Sequence, residues 1–384
     1  METSLNLISK LPGTGTTIFS VMSALANEHG AVNLAQGFPD FNCPEKLVDR
    51  VNHYMRAGKN QYAPMPGVPE LRKKIAEKTL RCYGTEYDWQ SEITVVGGAT
   101  LALFCAISAV VRENDEVIVI EPAYDSYIPA ITLNGGKPVF SKLKYPTYQI
   151  DWQEIKKLIN FRTRAILINS PHNPCGTVLT AADMQELERL TENTDIVVIS
   201  DEVYEHILFD GMKHQSACMF PGLASRSFIV SSFGKTYHNT GWKMGYVLAP
   251  EKLTAEFRKI YQYVAFSTST PVQYAYADFL DDEAHYLDLP NFYQQKRDFF
   301  RDLIKDSRFK MFPCSGSYFQ LLGYDKISKE QDYNLAVRLT KENKIAGVPV
   351  SVFYHDKTDN HVLRFCFAKN EETLTRAAEI LCKL

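Results

Sequence analysis

What the chain lacks narrows its class. No apolar run approaches the roughly 20 residues that a membrane helix needs. The longest, Leu101 to Val111, is interrupted by Ser108 and reads as a buried helix. Met1 to Thr16 holds no apolar stretch able to act as a signal sequence. The eight cysteines, at 43, 82, 105, 175, 218, 314, 366 and 382, form no C-x-x-C pair, and most stand in apolar surroundings. That favours reduced core thiols in a cytoplasmic setting over a disulfide framework or a zinc site. The nine histidines show no H-E-x-x-H spacing, so no metal is expected. Neither sign of charge dominates: 42 basic residues against 45 acidic ones leave a net charge of −3. The basic residues are scattered, so no field draws nucleic acid or an anionic membrane. Repeats and low-complexity tracts are missing too.

What remains is ordinary globular composition, 45% hydrophobic and 23% charged, over 384 residues, enough for two or three domains. From about residue 70 to 250, short apolar runs alternate with helical patterns. Pro69 to Arg81, Thr100 to Val111 and Ala181 to Thr191 are predicted helices. Ile93 to Val96, Glu116 to Ile120, Arg164 to Asn169, Ile196 to Ser200 and Phe228 to Ser231 are predicted strands. Continuously apolar strands between helices imply an α/β fold with a mostly parallel central sheet covered on both faces. After about residue 285 the texture changes. Leu287 to Asp306 is long, charged and helical, and Ser317 to Leu322, Val348 to Val352 and Val362 to Phe367 are predicted strands of a smaller α+β domain. The expected division is an N-terminal arm over 1–45 packing with the small domain, a large domain over 46–285 and a small one over 286–384.

Polar clusters follow the strands: Gly98-Ala99-Thr100, Pro122-Ala123-Tyr124, Ser170 to Gly176, Asp201-Glu202 and Gly234-Lys235. Open α/β sheets bind ligands outside the carboxyl ends of their strands, so five such clusters point to one site.

Four segments carry the chemistry: Asn169-Ser170-Pro171-His172-Asn173-Pro174-Cys175-Gly176; Ser200-Asp201-Glu202-Val203-Tyr204; Ser231-Ser232-Phe233-Gly234-Lys235-Thr236 with Thr240-Gly241-Trp242-Lys243-Met244-Gly245; and Arg364-Phe365-Cys366-Phe367. Each alone has a plain explanation. N-P-x-G is a turn, an aspartate after a strand caps a helix, and a late-strand arginine faces water. In this order, together with Asn33-Leu34-Ala35-Gln36-Gly37-Phe38-Pro39-Asp40-Phe41, they resemble the fold-type I pyridoxal 5′-phosphate (PLP) aminotransferases of class I and II. The resemblance covers nearly the whole chain and is nearest to the methionine and kynurenine aminotransferase group.

The resemblance implies roles. Lys235 would bind the cofactor's aldehyde covalently and, once released, move a proton, which requires an amine pKa below the ordinary value. Asp201 would pair with the ring nitrogen, and Tyr204 and Asn173 with the phenolate oxygen. Gly98, Ala99, Thr100, Ser232 and Lys243 would hold the phosphate, the first three at a helix N-terminus. Tyr124 would stack on the ring. Tyr62 would reach the phosphate of a neighbouring subunit, implying a homodimer. Arg364, with Asn173, would clamp the substrate α-carboxylate, and Ile18, Gly37 and Phe38 would wall the substrate.

The implied reaction moves the amino group of a neutral, sizeable amino acid (methionine or an aromatic one, with kynurenine and glutamine in range) to a 2-oxo acid. Two alternatives stay open. A carbon–sulfur β-lyase would use the same lysine and ring partners. A non-catalytic regulator with an aminotransferase-like domain would need a DNA-binding segment ahead of it, whereas here the family pattern begins near residue 14.

Overall fold

A computed structural model describes residues 7–384; the first six residues of the expected N-terminal arm lie outside the described residues. A seven-stranded sheet forms the centre. Its strands in chain order are β1 (Ile93–Val96), β2 (Glu116–Glu121), β3 (Lys137–Lys142), β4 (Thr163–Asn169), β5 (Val197–Asp201), β6 (Ser227–Ser232) and β7 (Gly245–Leu248). Across the sheet the order is β1-β7-β6-β5-β4-β2-β3. Only β7 runs antiparallel to its neighbours.

Two apolar layers explain why these strands lack polar alternation. Successive residues of a strand point to opposite faces. Val117, Val119, Ala165, Leu167, Val197 and Ile199 join one buried cluster. Their neighbours Ile118, Ile120, Ile166, Ile168 and Val198 join the other. With helices on both faces, every position must be apolar. The helix Ala99–Val110, apolar but for Thr100 and Ser108, packs on the sheet and against the helix Glu251–Val264, which accounts for its having no charged face.

A second, antiparallel sheet has the order β10-β11-β9-β8, from β8 (Lys310–Met311), β9 (Phe319–Gly323), β10 (Val348–Pro349) and β11 (Val362–Cys366). The helix Ile18–His29 packs beside it, and Val32–Asn33 pairs in parallel with Ile345–Ala346. The N-terminal segment therefore meets the later part of the chain. The strand expected over Val348 to Val352 stops at Pro349. Buried Asp332 accepts from both the amide (2.7 Å) and the hydroxyl (2.6 Å) of Ser351 and draws the chain into a short helical turn over Val350–Phe353.

The segment after β5 is fixed from behind the sheet. Lys78, on the helix Pro69–Tyr83, lies 2.8 Å from Glu205, both almost fully buried. Lys78 also donates to the Tyr246 hydroxyl (2.8 Å), which donates to Glu205 (2.9 Å), and Tyr83 donates to the same carboxylate. Glu202 accepts from Ser200 (2.8 Å) and the Ala217 amide (2.9 Å) and bonds His214 (2.7 Å). Asp201 thus adjoins one anchored glutamate, and Val203 and Tyr204 sit between the two.

Burial alone would raise the Glu205 carboxyl, but the Lys78 charge and its hydrogen bonds outweigh it and hold the group well below the ordinary range. Its contribution to stability is present above the unfolded pKa of about 4.3 and is lost as pH falls below it. Lys78→Met leaves a buried carboxylate unpaired, at a cost of about 3–5 kcal/mol. Thermal unfolding should show Tm lower by roughly 5–10 °C, with part of the loss restored in Lys78→Met/Glu205→Leu. A double variant no more stable than the single one would contradict this account.

Candidate active site

The carboxyl ends of β4, β5 and β6 and the amino end of β7 open into one cavity of about 260 Å³. Because β7 is antiparallel, its start, Gly245, lies opposite both Val96 and Ser232. Lys243, two residues earlier and in a left-handed turn (φ 54°), is thereby brought to the end of the parallel strands. All the residues singled out in the sequence line this cavity except Ile18 and Tyr62.

On one side lies the start of the helix Ala99–Val110. Gly98 has φ +93°, a conformation open to glycine, and its Cα faces Lys243 closely enough that a Cβ would sit 3.4 Å from Lys243 Cε. The first helical bond runs from the Ala102 amide to the Gly98 carbonyl (3.1 Å). The amides before it have no helical acceptor and, with Ser232 and Lys243, form a seat for an anion.

Asp201 ends β5. One carboxylate oxygen accepts from the Tyr127 hydroxyl at 2.6 Å and the other from the Val203 amide at 3.3 Å. Burial pushes its carboxyl up to about 6 in spite of these donors. Tyr204, three residues on, is buried, which raises its hydroxyl far above the ordinary range and keeps it a donor. Lys235 lies on the short helix Phe233–Thr236, whose Phe233 stacks on Tyr276 (4.5 Å between centroids). Burial brings the Lys235 amine down to about 8, with Arg364 and Lys243 adding to the effect and Asp201 opposing it.

Arg364, mid-strand in β11, is 0% exposed. It donates to the Asn173 side-chain oxygen (2.8 Å) and the Ala35 carbonyl (3.0 Å), while its Nε has no partner. The guanidinium lies 3.9 Å from the centroid of Phe319 and 5.1 Å from that of Phe19. Burial lowers its pKa, yet a guanidinium remains charged in proteins. A buried cation with a free donor and no bonded carboxylate is a ready seat for a ligand carboxylate. Gly37 packs on the Phe319 ring: a Cβ there would meet Phe319 Cζ at 3.0 Å.

Ile18 lines a neighbouring, wider cavity; it is the next residue, Phe19, that reaches Arg364. Phe38 lines the site while partly exposed. Tyr62 is 85% exposed and edge-on to Phe266 at 5.5 Å, away from the lining of this cavity. Sequence reasoning misses Tyr127, Phe19, Phe319 and Tyr318. Tyr127 carries a usable signal: it stands three residues after Tyr124, and a turn in which its amide donates to the Tyr124 carbonyl (3.2 Å) sets the two rings edge-on at 5.7 Å.

Comparison with known proteins agrees with this geometry. The family model described as "Aminotransferase class I and II" matches residues 29–381. The chain is 50% identical over 377 residues to methionine aminotransferase of Escherichia coli, covering 98% of each. It is 33% identical over 394 residues to human kynurenine–oxoglutarate transaminase 1, covering 94% of this chain and 93% of that one. A crystal structure of Escherichia coli YbdL, described as having a methionine aminotransferase function, superposes with a TM-score of 0.97 at 50% identity over 99% of this chain and 100% of that one. The chain therefore belongs to the class I and II aminotransferases and is itself an aminotransferase that works with pyridoxal 5′-phosphate.

Proposed function

We propose that this aminotransferase takes the amino group of a neutral, sizeable amino acid, methionine or an aromatic one foremost and kynurenine or glutamine in range, and passes it to a 2-oxo acid. The observation that carries the reading is Arg364. It is the one guanidinium among the described residues lining the cavity, and its free Nε suits it to the α-carboxylate. No second arginine among those residues waits for a side-chain carboxylate, and burying one unpaired is expensive. Phe19, Phe38 and Phe319 offer apolar surface suited to a thioether or a ring. The methionine and kynurenine transaminases among its relatives support the same class.

When bound, pyridoxal phosphate supplies a ring that withdraws electrons from the substrate α-carbon. The residues present fit that group. The helix start at Gly98-Ala99-Thr100, Ser232 and Lys243 would hold its phosphate, and Tyr124 would lie against its ring. Asp201, destabilised by burial, would regain its charge beside a protonated ring nitrogen. Tyr204 donates, and the Asn173 amide nitrogen has no protein acceptor among the described residues, so both can serve the phenolate oxygen. Lys235 would hold the aldehyde and, when free, carry a proton; an amine lowered to about 8 is partly neutral near pH 7.

The active unit is proposed to be a homodimer. Tyr62, Tyr263, Val264 and Phe266 form an exposed apolar patch that a second copy would cover, bringing Tyr62 to the partner's phosphate site. The division into residues 1–45, 46–285 and 286–384 belongs to the same proposal, as does a cytoplasmic setting, which the free thiols of buried Cys105, Cys175, Cys218, Cys314 and Cys366 suit.

Borohydride reduction and peptide mapping should place the cofactor on Lys235; finding it on Lys243 would overturn that role. Mixing Lys235→Ala with Tyr62→Ala subunits should restore part of the activity each lacks, since one site of the hybrid draws both residues from intact positions. No recovery after verified subunit exchange would remove Tyr62 from the composite site. For the substrate, kcat/KM across methionine, phenylalanine, tyrosine, kynurenine, glutamine, alanine and aspartate with one acceptor should favour the first five. Apolar walls discriminate by only about 1–3 kcal/mol per methylene, so the range should be broad. A preference for aspartate, or pyruvate and ammonia as the main products from a β-thioether substrate, would refute the reading.

A further inference from the structure

The Lys235 amine has partners that none of the motifs announces. It donates to the Tyr318 hydroxyl at 2.7 Å and to the Gly37 carbonyl at 3.3 Å. The Tyr318 hydroxyl donates to that same carbonyl at 2.6 Å. Three separate stretches of chain meet here: the turn after β6, the segment ahead of Phe38, and the residue before β9. Tyr318 is fully buried, edge-on to Tyr204 (5.1 Å) and to Phe319 (4.9 Å) and tilted against Tyr293 (5.8 Å). Turning its hydroxyl away would break this bond and leave the Gly37 carbonyl only the longer one from Lys235.

This geometry orients an uncharged amine. A neutral amine has two N–H groups and one lone pair. With its proton committed to Gly37, the Tyr318 oxygen can only accept, so two oxygens receive the two N–H groups. The lone pair is left the remaining tetrahedral direction. The groups facing the amine are Asp201 from β5, Arg364 and Cys366 from β11, Lys243 from the turn before β7, and the rings of Tyr204 and Tyr318. No carboxylate among the described residues bonds it; Asp201 accepts instead from Tyr127 and Val203.

We propose that Tyr318 is a positioning residue that, with the Gly37 carbonyl, docks the free amine of Lys235 and aims its lone pair at the substrate α-carbon. The inference rests on the reading of Lys235 given above and deepens it. In the step concerned, the substrate α-C–H bond breaks, and its proton forms a new N–H bond with the lysine lone pair, giving an ammonium. The electron pair would stay with the substrate, withdrawn by the ring that the cofactor supplies when bound. The reverse transfer returns the proton and restores the docked neutral amine.

The test is Tyr318→Phe, read in two ways. In the cofactor-free full chain, the pH dependence of acetic anhydride labelling at Lys235, followed by peptide mapping, gives the midpoint of its amine. Removing the hydroxyl takes an acceptor from the ammonium, so the midpoint should fall. In the holoenzyme kcat should fall about tenfold with KM within about twofold, the loss expected of a misaimed base, and the substrate α-deuterium isotope effect should rise. An unmoved midpoint, or an unchanged kcat and isotope effect, would overturn the proposal. Should the phenylalanine variant fold poorly, 3-fluorotyrosine at 318 keeps the ring and weakens the acceptor. The midpoint should then fall by less, and an unmoved midpoint again overturns the docking. Lys235→Ala separates the two ideas. If it keeps the absorbance of bound cofactor and full turnover, the reading of Lys235 itself fails, whereas Tyr318→Phe should keep the cofactor attached.

Discussion

Arg364 is a permanent cation buried with no carboxylate bonded to it among the described residues, Asp125 acting on it only through its charge, and the surrounding structure is arranged to tolerate that. Removing a charge from water costs several kcal/mol even after relaxation. Here the compensation is partial: one side-chain oxygen from Asn173, one carbonyl from Ala35, and the faces of Phe319, Phe19 and Phe353. Those partners come from the strand end after β4, from the N-terminal segment, from β9 and from the turn after β10. The guanidinium therefore fixes how the two sheets and the arm converge. The unspent Nε–H is the portion of the cost that a ligand carboxylate would recover.

Much of this is legible in the sequence, for physical reasons. The central strands are buried on both faces, so they read as unbroken apolar runs, and β1 and the helix Ala181–Thr191 fall where periodicity puts them. The polar residues at the strand ends stand out because nothing else in such a sheet tolerates them. That contrast makes Gly98, Asp201 and Lys235 visible from residue order alone, and they line one cavity.

The remainder depends on contacts distant in sequence. β3 escapes a reading of apolar runs because Lys137–Lys142 is an edge strand, flanked by lysines and interrupted by proline, without the apolar signature of its neighbours. β7 is only four residues long, yet its reversed direction is what delivers Lys243. Tyr318 is hidden by a break in alternation. Read as one strand from Ser317, Tyr318 and Phe319 would face opposite ways. Ser317 is left-handed (φ 62°), the strand starts at Phe319, and both rings turn toward the site, one to Lys235 and the other to Arg364. Ile18 stands in for Phe19 in the sequence reading because the phase of a helix start cannot be read from one residue.

Lys235 and Asp201 are shifted in opposite directions by one cause. Burial disfavours charge on each, bringing the amine down to about 8 and the carboxyl up to about 6. Arg364 feels the same burial but starts so high that it stays charged. A single cavity thus sorts its ionisable groups into two kinds. Lys235 and Asp201 are left where the charge on each is costly, so a neighbouring opposite charge decides the state of either. Arg364 is left as a fixed charge. The sorting needs no special acid or base, only one degree of burial applied to groups whose ordinary pKa values differ. Residue type, through its ordinary pKa, therefore decides how each group answers the same burial.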